Sequence, residues 1–240
     1  MVRLLHLYYD LMNLYGDWAN VKVIEIELAA RGAGAKVDYL SAGDDIDFEQ
    51  YDFIYIGSGT ERSQRACMRD MMQHKPEFVK KIEAGLHVLA TGNAHELFGK
   101  AITDAGGERY ETLGLLDFET IQNDARVTGD SICKASFIPE RIIGFINRSG
   151  HGQEGEIARP FTCELGPGSN DELRAEGIKY KNLLGTYLTG PALVRNPPLL
   201  KYIADALCPD SARKSTDGDS FFIYQEAAYS MALGELSALI

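Results

Sequence analysis

Short apolar runs alternate with helical apolar patterns along the first half of the chain. The runs at residues 4–9, 53–56 and 86–90 are continuous, which is typical of strands buried on both faces. Helical spacing appears between them, as at residues 17–31. This alternation predicts βαβ units and a parallel sheet. The same half predicts a strand at 36–40, a helix over 61–83 interrupted at Pro76, and a helix over 94–105.

The second half changes to strands separated by Gly, Asn and Pro turns. It predicts strands at 125–137, 141–146 and 177–188, helices at 197–207 and 222–236, and a polar loop at 208–220. No internal repeat and no linker-like segment divides the chain. The expected fold class is α/β, with a single domain over residues 1–240 built on a mixed, mostly parallel sheet flanked by helices.

Composition then narrows the function classes. Of the 240 residues, 45% are hydrophobic and 25% charged, so the chain can bury a sizeable core. The formal net charge of −11 disfavours nucleic acid and anionic membrane surfaces as partners. No apolar run approaches the ~20 residues that span a bilayer, and no signal-peptide cleavage site follows the first strand. We therefore expect a cytoplasmic location.

The cysteines add a further expectation. Cys67, Cys133, Cys163 and Cys208 are far apart and form no CxxC pair. Such sparse cysteines, without an export signal, are typical of reduced thiols. A zinc site is therefore not expected, and the sequence indicates no other metal or cofactor.

Three turns follow predicted strands, and ligands bind at such strand ends in open parallel sheets. The first is Gly57-Ser58-Gly59, where glycines let a ligand approach the backbone and its N–H groups. A tight turn without a ligand explains the same pattern equally well. The third is the segment 184–193, which also fits an ordinary strand end.

The turn after the 86–90 strand has the strand–turn–helix pattern of a nucleophile elbow. Gly92 stands at its tip, and glycine has no side chain that could attack a substrate. His95 and Glu96 follow in the first turn of the predicted helix. They are either acid–base groups or ordinary residues of a helix N-terminus.

Taken together, these segments resemble the class I glutamine amidotransferases of the CobB/CobQ type, and in particular the GatD-type glutaminase subunits of lipid II isoglutaminyl synthase. The resemblance covers about residues 1–208. Residues 57–64 are similar to the family's GGGQDREQ, residues 144–150 to GFENHSGR, and residues 185–191 to GTYLHGP. Residues 10–17, with Asn20, are similar to the opening motif.

The resemblance implies a flavodoxin-like fold and hydrolysis of glutamine by a Cys–His pair. A cysteine at the elbow attacks the side-chain amide, and a histidine at another strand end activates the thiol. Backbone N–H groups near the elbow and the glycine turn hold the oxyanion. The ammonia then passes to a synthetase partner, which for this subunit type is a MurT-like Mur ligase.

This sequence departs from the family at both catalytic positions. The family elbow CGGYQLLG aligns with residues 92–99, so Gly92 stands at the cysteine position, and Thr189 replaces the histidine of GTYLHGP. Ile146 and Arg148 stand where the family has Glu and His, and His151 where it often has Arg. Losing a nucleophile and its base removes on the order of a millionfold in turnover.

Other residues offer no clear replacement. Cys67 lies too far along its helix, Cys133 and Cys163 have no adjacent histidine motif, and the Ser58 and Thr91 hydroxyls would need a strong base beside them. The candidate ligand-binding residues are Gly57, Gly59, Gln64, Asn93, His95, Asn147, Arg148, Ser149 and Gly150.

The sequence thus predicts a glutamine amidotransferase-like pseudoenzyme with no intact catalytic pair. It would act as a binding or regulatory subunit, with a MurT-like Mur ligase in the amidation of a peptidoglycan precursor. Glutamine or another small molecule could occupy the cleft. The alternative is residual amidotransferase activity, or altered chemistry that uses polar groups such as Glu96 and His151 in the same cleft.

Overall fold

Strands and helices alternate through the first half of the chain in a computed structural model, which describes residues 1–152, 157–169, 174–211 and 220–240. The strands are β1 (Val2–Leu7), β2 (Ala35–Leu40), β3 (Phe53–Ile56), β4 (His87–Thr91), β5 (Ala101–Thr103), β6 (Arg109–Glu111), β7 (Glu119–Ala135), β8 (Arg141–Gly152), β9 (Phe161–Leu165), β10 (Ala175–Glu176), β11 (Ile178–Tyr180) and β12 (Leu183–Thr186). The helices are α1 (Trp18–Ala30), α2 (Glu61–Met71), α3 (Lys75–Glu83), α4 (Ala192–Arg195), α5 (Pro197–Leu207) and α6 (Ser220–Ser237). Short 3-10 helices lie at Leu14–Gly16, Phe48–Gln50 and Gly92–Phe98.

The first sheet has the strand order β11–β12–β4–β3–β1–β2. Its neighbouring strands pair in parallel except for β11 and β12, which pair antiparallel. Successive side chains point to opposite faces, so each strand contributes to two cores. Leu5 and Val88 pack with α2 and α3 on one face, and Leu4 and Leu89 pack with α1 and α5 on the other. The predicted α/β fold class is confirmed.

A second sheet has the order β10–β9–β7–β5–β6, with β8 paired along β7. It meets the first sheet where Phe145 of β8 forms an antiparallel bridge with Thr189, shortly after β12. Because β12 runs parallel to β4, this bridge brings part of β8 near the carboxyl ends of both strands. The family motif over residues 144–150 therefore lies beside the elbow.

The predicted helix over residues 94–105 is wrong. The chain forms a 3-10 helix only as far as Phe98, and Gly99 then has extended backbone angles. Residues 101–103 continue as β5, which pairs in parallel with β7. The apolar residues Ala101 and Ile102 are buried as part of the second sheet, and this tertiary pairing overrides the helical pattern.

The predicted strand over residues 177–188 is also incorrect as a single element. It is a hairpin of β11 and β12, which turns at Lys181 with a φ of 49°. The predicted helix over 61–83 forms as two helices, α2 and α3, and Pro76 lies in the first turn of α3, where a missing N–H costs nothing. The part of the predicted loop at residues 212–219 lies outside the described residues.

Cys133 and Cys163 form a disulfide between β7 and β9, so the expectation of reduced thiols is wrong for this pair. The two residues lie directly opposite each other in the antiparallel pairing. Strand register, which the spacing along the sequence does not reveal, brings them together. Cys67 and Cys208 are free thiols.

Among the described residues, no helix combines the length and apolar character needed to cross a membrane. Over the same residues, no group of three or more His, Cys, Asp or Glu side chains could hold a metal ion.

Candidate functional site

The turn after β4 has the backbone of an elbow. Gly92 follows the buried Thr91, has a φ of +58° and starts the 3-10 helix. A positive φ of this size is strained for any residue with a side chain. The turn therefore keeps the shape that presents a nucleophile in other enzymes, but it presents only a hydrogen atom.

The space beside Gly92 is filled by Ser58 from the glycine turn. A Cβ built on Gly92 would overlap the Oγ of Ser58 and lie 2.6 Å from its Cβ and 3.3 Å from its Cα. Ser58 is 2% exposed, and its Oγ has no hydrogen-bond partner among the described residues. The volume that a cysteine side chain would need at the elbow is therefore already taken.

The backbone N–H groups of the glycine turn are occupied by side chains. The Ser58 N–H donates to Asp17 Oδ2 at 2.6 Å, and the Gly59 N–H donates to Asn93 Oδ1 at 2.9 Å. Asn93 Nδ2 also donates to the Gly59 carbonyl at 3.0 Å. These N–H groups are therefore not available to stabilise an oxyanion. Gly57 allows the close approach, since a Cβ there would lie 2.9 Å from Asp17 Oδ2.

Asp17 belongs to a buried polar cluster below the elbow. Burial raises the pKa of Asp17 to about 6, against the opposing effect of its hydrogen bond from Ser58. Nearby, Asn20 Nδ2 donates to the Tyr55 hydroxyl at 2.8 Å, and that hydroxyl lies 2.6 Å from Thr91 Oγ1. Asp17 and Asn20 come from the opening motif. Asp17 holds the glycine turn through Ser58, and Asn20 holds the end of β4 through the Tyr55 hydroxyl.

Glu96 is the centre of a second buried network. Its Oε2 accepts from Gln64 Nε2 at 2.8 Å and from Gln122 Nε2 at 3.0 Å, and its Oε1 accepts from the Tyr187 hydroxyl at 2.7 Å. Gln64 Nε2 also donates to the Asn93 carbonyl at 2.7 Å. Burial raises the pKa of Glu96. Its carboxyl oxygens are already engaged, so Glu96 acts as a structural acceptor.

His95 is hydrogen-bonded to the backbone of the elbow itself. Its Nδ1 donates to the Gly92 carbonyl at 2.8 Å, because a carbonyl can only accept. Its ring packs edge-on against Tyr187, with the centroids 4.1 Å apart. Burial lowers the pKa of His95 to about 3, so the ring is neutral at physiological pH. This supports the interpretation of His95 as a packed residue.

Thr189 is likewise a structural residue. Its Oγ1 donates to the Phe145 carbonyl at 2.8 Å, and its backbone N–H donates to the same carbonyl at 2.9 Å. The side chain is 1% exposed. The hydroxyl at the family's histidine position therefore joins the two sheets and cannot accept a proton from a thiol near neutral pH.

The candidate residues of β8 divide between two places. Asn147 Nδ2 donates to the Tyr15 hydroxyl at 3.0 Å, and Ser149 Oγ donates to Glu61 Oε1 at 2.8 Å. Arg126 binds both Glu61 and Asn147, at 2.6 Å each. These contacts form a charged rim above the Glu96 network.

Arg148 instead lies in the interior. It is 1% exposed, and it donates to the carbonyls of Gly168 and Gly150 at 2.8 Å each. Its guanidinium also lies over the Tyr187 ring, 5.8 Å from the centroid. Gly150 is closely packed, since a Cβ there would lie 2.8 Å from the Tyr187 hydroxyl. Both residues support the packing around Tyr187.

A cavity of about 300 Å³ opens at the charged rim. Its lining includes Glu61, Arg65, Asp104, Gln122, Arg126 and Ser149. Arg65 pairs with Asp104 at 2.6 Å, and Arg126 pairs with Glu61 at the same distance. The cavity therefore presents both signs of charge to a small polar molecule.

Cys67, Cys133 and Cys163 do not offer a replacement for the missing nucleophile. Cys67 is fully buried in α2, and burial raises the pKa of its thiol to about 12. Cys133 and Cys163 are bonded to each other. A thiol with such a raised pKa is protonated at neutral pH and is a poor nucleophile.

The structure thus brings together Gly57, Gly59, Gln64, Asn93 and Gly150 around the elbow. Sequence analysis missed Gln122 and Tyr187 as partners of Glu96. Tyr187 lies inside the recognised segment 185–191 and could have been identified from it. Gln122 could not, because it lies on a strand with no motif of its own.

Solved structures that share this fold include glutamine amidotransferases. The chain is similar to the crystal structure of a glutamine amidotransferase from Thermotoga maritima, with a TM-score of 0.54 over 99% of this chain and 93% of that one. At 14% identity this likeness concerns the fold alone.

The family follows from the sequence comparisons. The sequence model of the family described as the CobB/CobQ-like glutamine amidotransferase domain matches residues 3–197, and the chain belongs to this family. It is 32% identical over 203 residues to the GatD subunit of the glutamine-hydrolysing lipid II isoglutaminyl synthase of Staphylococcus aureus strain N315, covering 85% of this chain and 83% of that protein. The GatD subunit of Streptococcus pneumoniae strain ATCC BAA-255 / R6 is 32% identical over 200 residues, covering 82% and 77%.

Proposed function

We propose that this chain is an amidotransferase-type subunit that does not hydrolyse glutamine and that acts by binding a Mur-ligase-like partner of the MurT type. The observation that carries the proposal is the elbow itself. Gly92 stands at the cysteine position, and Ser58 fills the volume that a side chain at this position would need.

Two further features support the loss of hydrolysis. Thr189, at the histidine position, is bonded to the Phe145 carbonyl. The family resemblance implies oxyanion donors near the elbow and in the glycine turn, and in this turn the N–H groups of Ser58 and Gly59 donate hydrogen bonds to Asp17 and Asn93. Covalent glutaminase chemistry needs nucleophile, base and oxyanion donors together. Losing the first two alone removes on the order of a millionfold in turnover.

The partner is inferred from the relatives. Both GatD proteins are named as subunits of an enzyme that amidates lipid II, so this chain is expected to retain a surface for a synthetase subunit. A ligase bound to this chain would then use free ammonia, or its activity would be regulated by the bound subunit.

The test combines two measurements. Glutamate release from glutamine is measured for the purified chain, alone and with a co-expressed Mur-ligase-like protein from the same genome, beside a GatD subunit that carries the Cys–His pair. We expect co-purification, no release above background, and amidation that depends on ammonium. Steady glutamine hydrolysis by the purified chain would contradict the proposed loss of activity. Failure of the two proteins to co-purify would contradict the proposed partner.

The charged cavity supports a second role for the same chain, the binding of a small amino-acid-like molecule. Both charge signs line its 300 Å³, which suits a zwitterion. Calorimetric titration with glutamine and with glutamate tests this role, and Arg126→Gln is the variant expected to abolish any heat of binding. Altered chemistry gains no support from Glu96 and His95, because both side chains are engaged in packing.

A further inference from the structure

Ser58 and Gly92 meet across the two turns that frame the elbow. We infer that they are a matched pair, in which the Ser58 side chain occupies the volume that the nucleophile's side chain fills in the family. Ser58, and not Gly92 alone, then decides whether the elbow can carry a side chain. The inference rests on the proposed function only in taking position 92 as the family's cysteine position.

The overlap cannot be relieved by rotating the hydroxyl. A Cβ on Gly92 would still lie 2.6 Å from Ser58 Cβ, which moves only with the backbone. That backbone is held on both sides. The Ser58 N–H donates to Asp17 Oδ2 at 2.6 Å, and the Ser58 carbonyl accepts from the Leu14 N–H at 3.0 Å.

Ser58 fills volume at this place, and its hydroxyl also lies near the Asp17 carboxyl, whose pKa it helps to lower. Its buried Oγ forms no hydrogen bond of ordinary geometry among the described residues. The family motif GGGQDREQ aligns a glycine with Ser58, and the family elbow aligns a cysteine with Gly92. In the family, the side chain stands on the elbow and the glycine turn has none. In this chain, the side chain stands on the glycine turn and the elbow has none, so the same volume stays packed.

The experiment is a double-mutant cycle of Ser58→Gly, Gly92→Cys and the double variant, followed by thermal unfolding. In the parent background, which has Gly92, we expect Ser58→Gly to lower the melting temperature, because packing is lost and the backbone is freed. In the Gly92→Cys background, we expect the same change to raise the melting temperature by roughly 3 °C or more. This reversal of sign is the signature of the pair.

Gly107→Cys is the matched control. Gly107 has a φ of +85°, but a Cβ there would meet no atom within 4 Å, so the control carries the strain without the overlap. Ser58→Gly should lower the melting temperature of this variant as it does that of the parent. Peptide-resolved labelling by iodoacetamide adds a readout of access. The thiol introduced at position 92 should react at least roughly tenfold faster in the double variant than in Gly92→Cys alone.

The outcomes decide between the alternatives. A double variant no more stable than Gly92→Cys, whether folded or not, overturns the inference, and so does equal labelling of the introduced thiol in both. Glutamine hydrolysis by the unmodified chain would overturn the proposed function but leave the sign reversal standing. The two failures are therefore distinguishable.

Discussion

At the scale of single residues, side chains at the glycine turn satisfy backbone groups that the family chemistry uses for the oxyanion. Asn93 pairs with both the N–H and the carbonyl of the buried Gly59. The family elbow has glycine at the position of Asn93, and a glycine has no side chain that could form these two hydrogen bonds. One amide side chain thus closes part of the site and stabilises the turn.

Asn93→Ala should lower the free energy of unfolding by about 1–3 kcal/mol, because two buried backbone groups lose their partner. Urea unfolding measures the change. Asn182→Ala is the control, since Asn182 Nδ2 donates to the Gly85 carbonyl at 2.7 Å from an exposed position where water can replace it. Equal losses in the two variants would show that the Asn93 pairing adds nothing beyond a surface contact.

At the scale of elements, strand pairing fixes what sequence spacing leaves open. The helix α5 forms over the predicted range, because Pro197 suits a first helical position and the apolar residues keep helical spacing. The segment 94–105 does not follow its pattern, because β5 pairs with β7. The sequence alone shows glycine at position 92 and threonine at position 189, where the family resemblance implies the Cys–His pair. The packing of Ser58 against Gly92 could not be predicted, since it depends on two turns that are far apart along the chain.

The disulfide between β7 and β9 is the prediction that belongs to this scale. Thiol labelling in denaturant should find two thiols without reductant, Cys67 and Cys208, and four after reduction. Reduction should lower stability by about 2–4 kcal/mol, because the loop closed by a link over 30 residues is released in the unfolded chain. Four thiols before reduction would contradict the pairing.

For the whole molecule, buried titratable groups set opposing pH dependences. Burial lowers the pKa of His6 to about 4 and that of His95 to about 3, so both favour unfolding as the pH falls below about 6.5. Burial raises the pKa of Asp17 to about 6 and that of Glu176 to about 7, so both favour the folded state at lower pH. Between pH 4.5 and 6.5 these contributions oppose each other.

Glu176→Gln separates the two contributions. Glu176 accepts from the Tyr187 N–H at 2.6 Å and from Thr186 Oγ1 at 2.7 Å, next to Tyr187 and the Glu96 network. Because its folded pKa of about 7 exceeds its usual 4.5, its stabilising contribution is complete below pH 4.5 and is lost as the pH rises through 7. Glutamine resembles the neutral form at every pH. The free energy of unfolding lost on Glu176→Gln should therefore become smaller, by on the order of 2–3 kcal/mol, as the pH rises from 5 to 8.

Urea unfolding of both proteins across this pH range measures the difference, with Glu83→Gln as the control. Glu83 lies at the surface, and its contact with Lys181 holds its pKa below its usual value of 4.5. Glu83 therefore contributes a pH dependence of stability only below about pH 4.5. The free energy of unfolding lost on Glu83→Gln should stay constant from pH 5 to pH 8. A cost of Glu176→Gln that is equally constant would place this carboxyl in its charged form throughout. The contacts of Glu176 with Thr186 and Tyr187 would then depend on a buried charge, and not on a protonated acid.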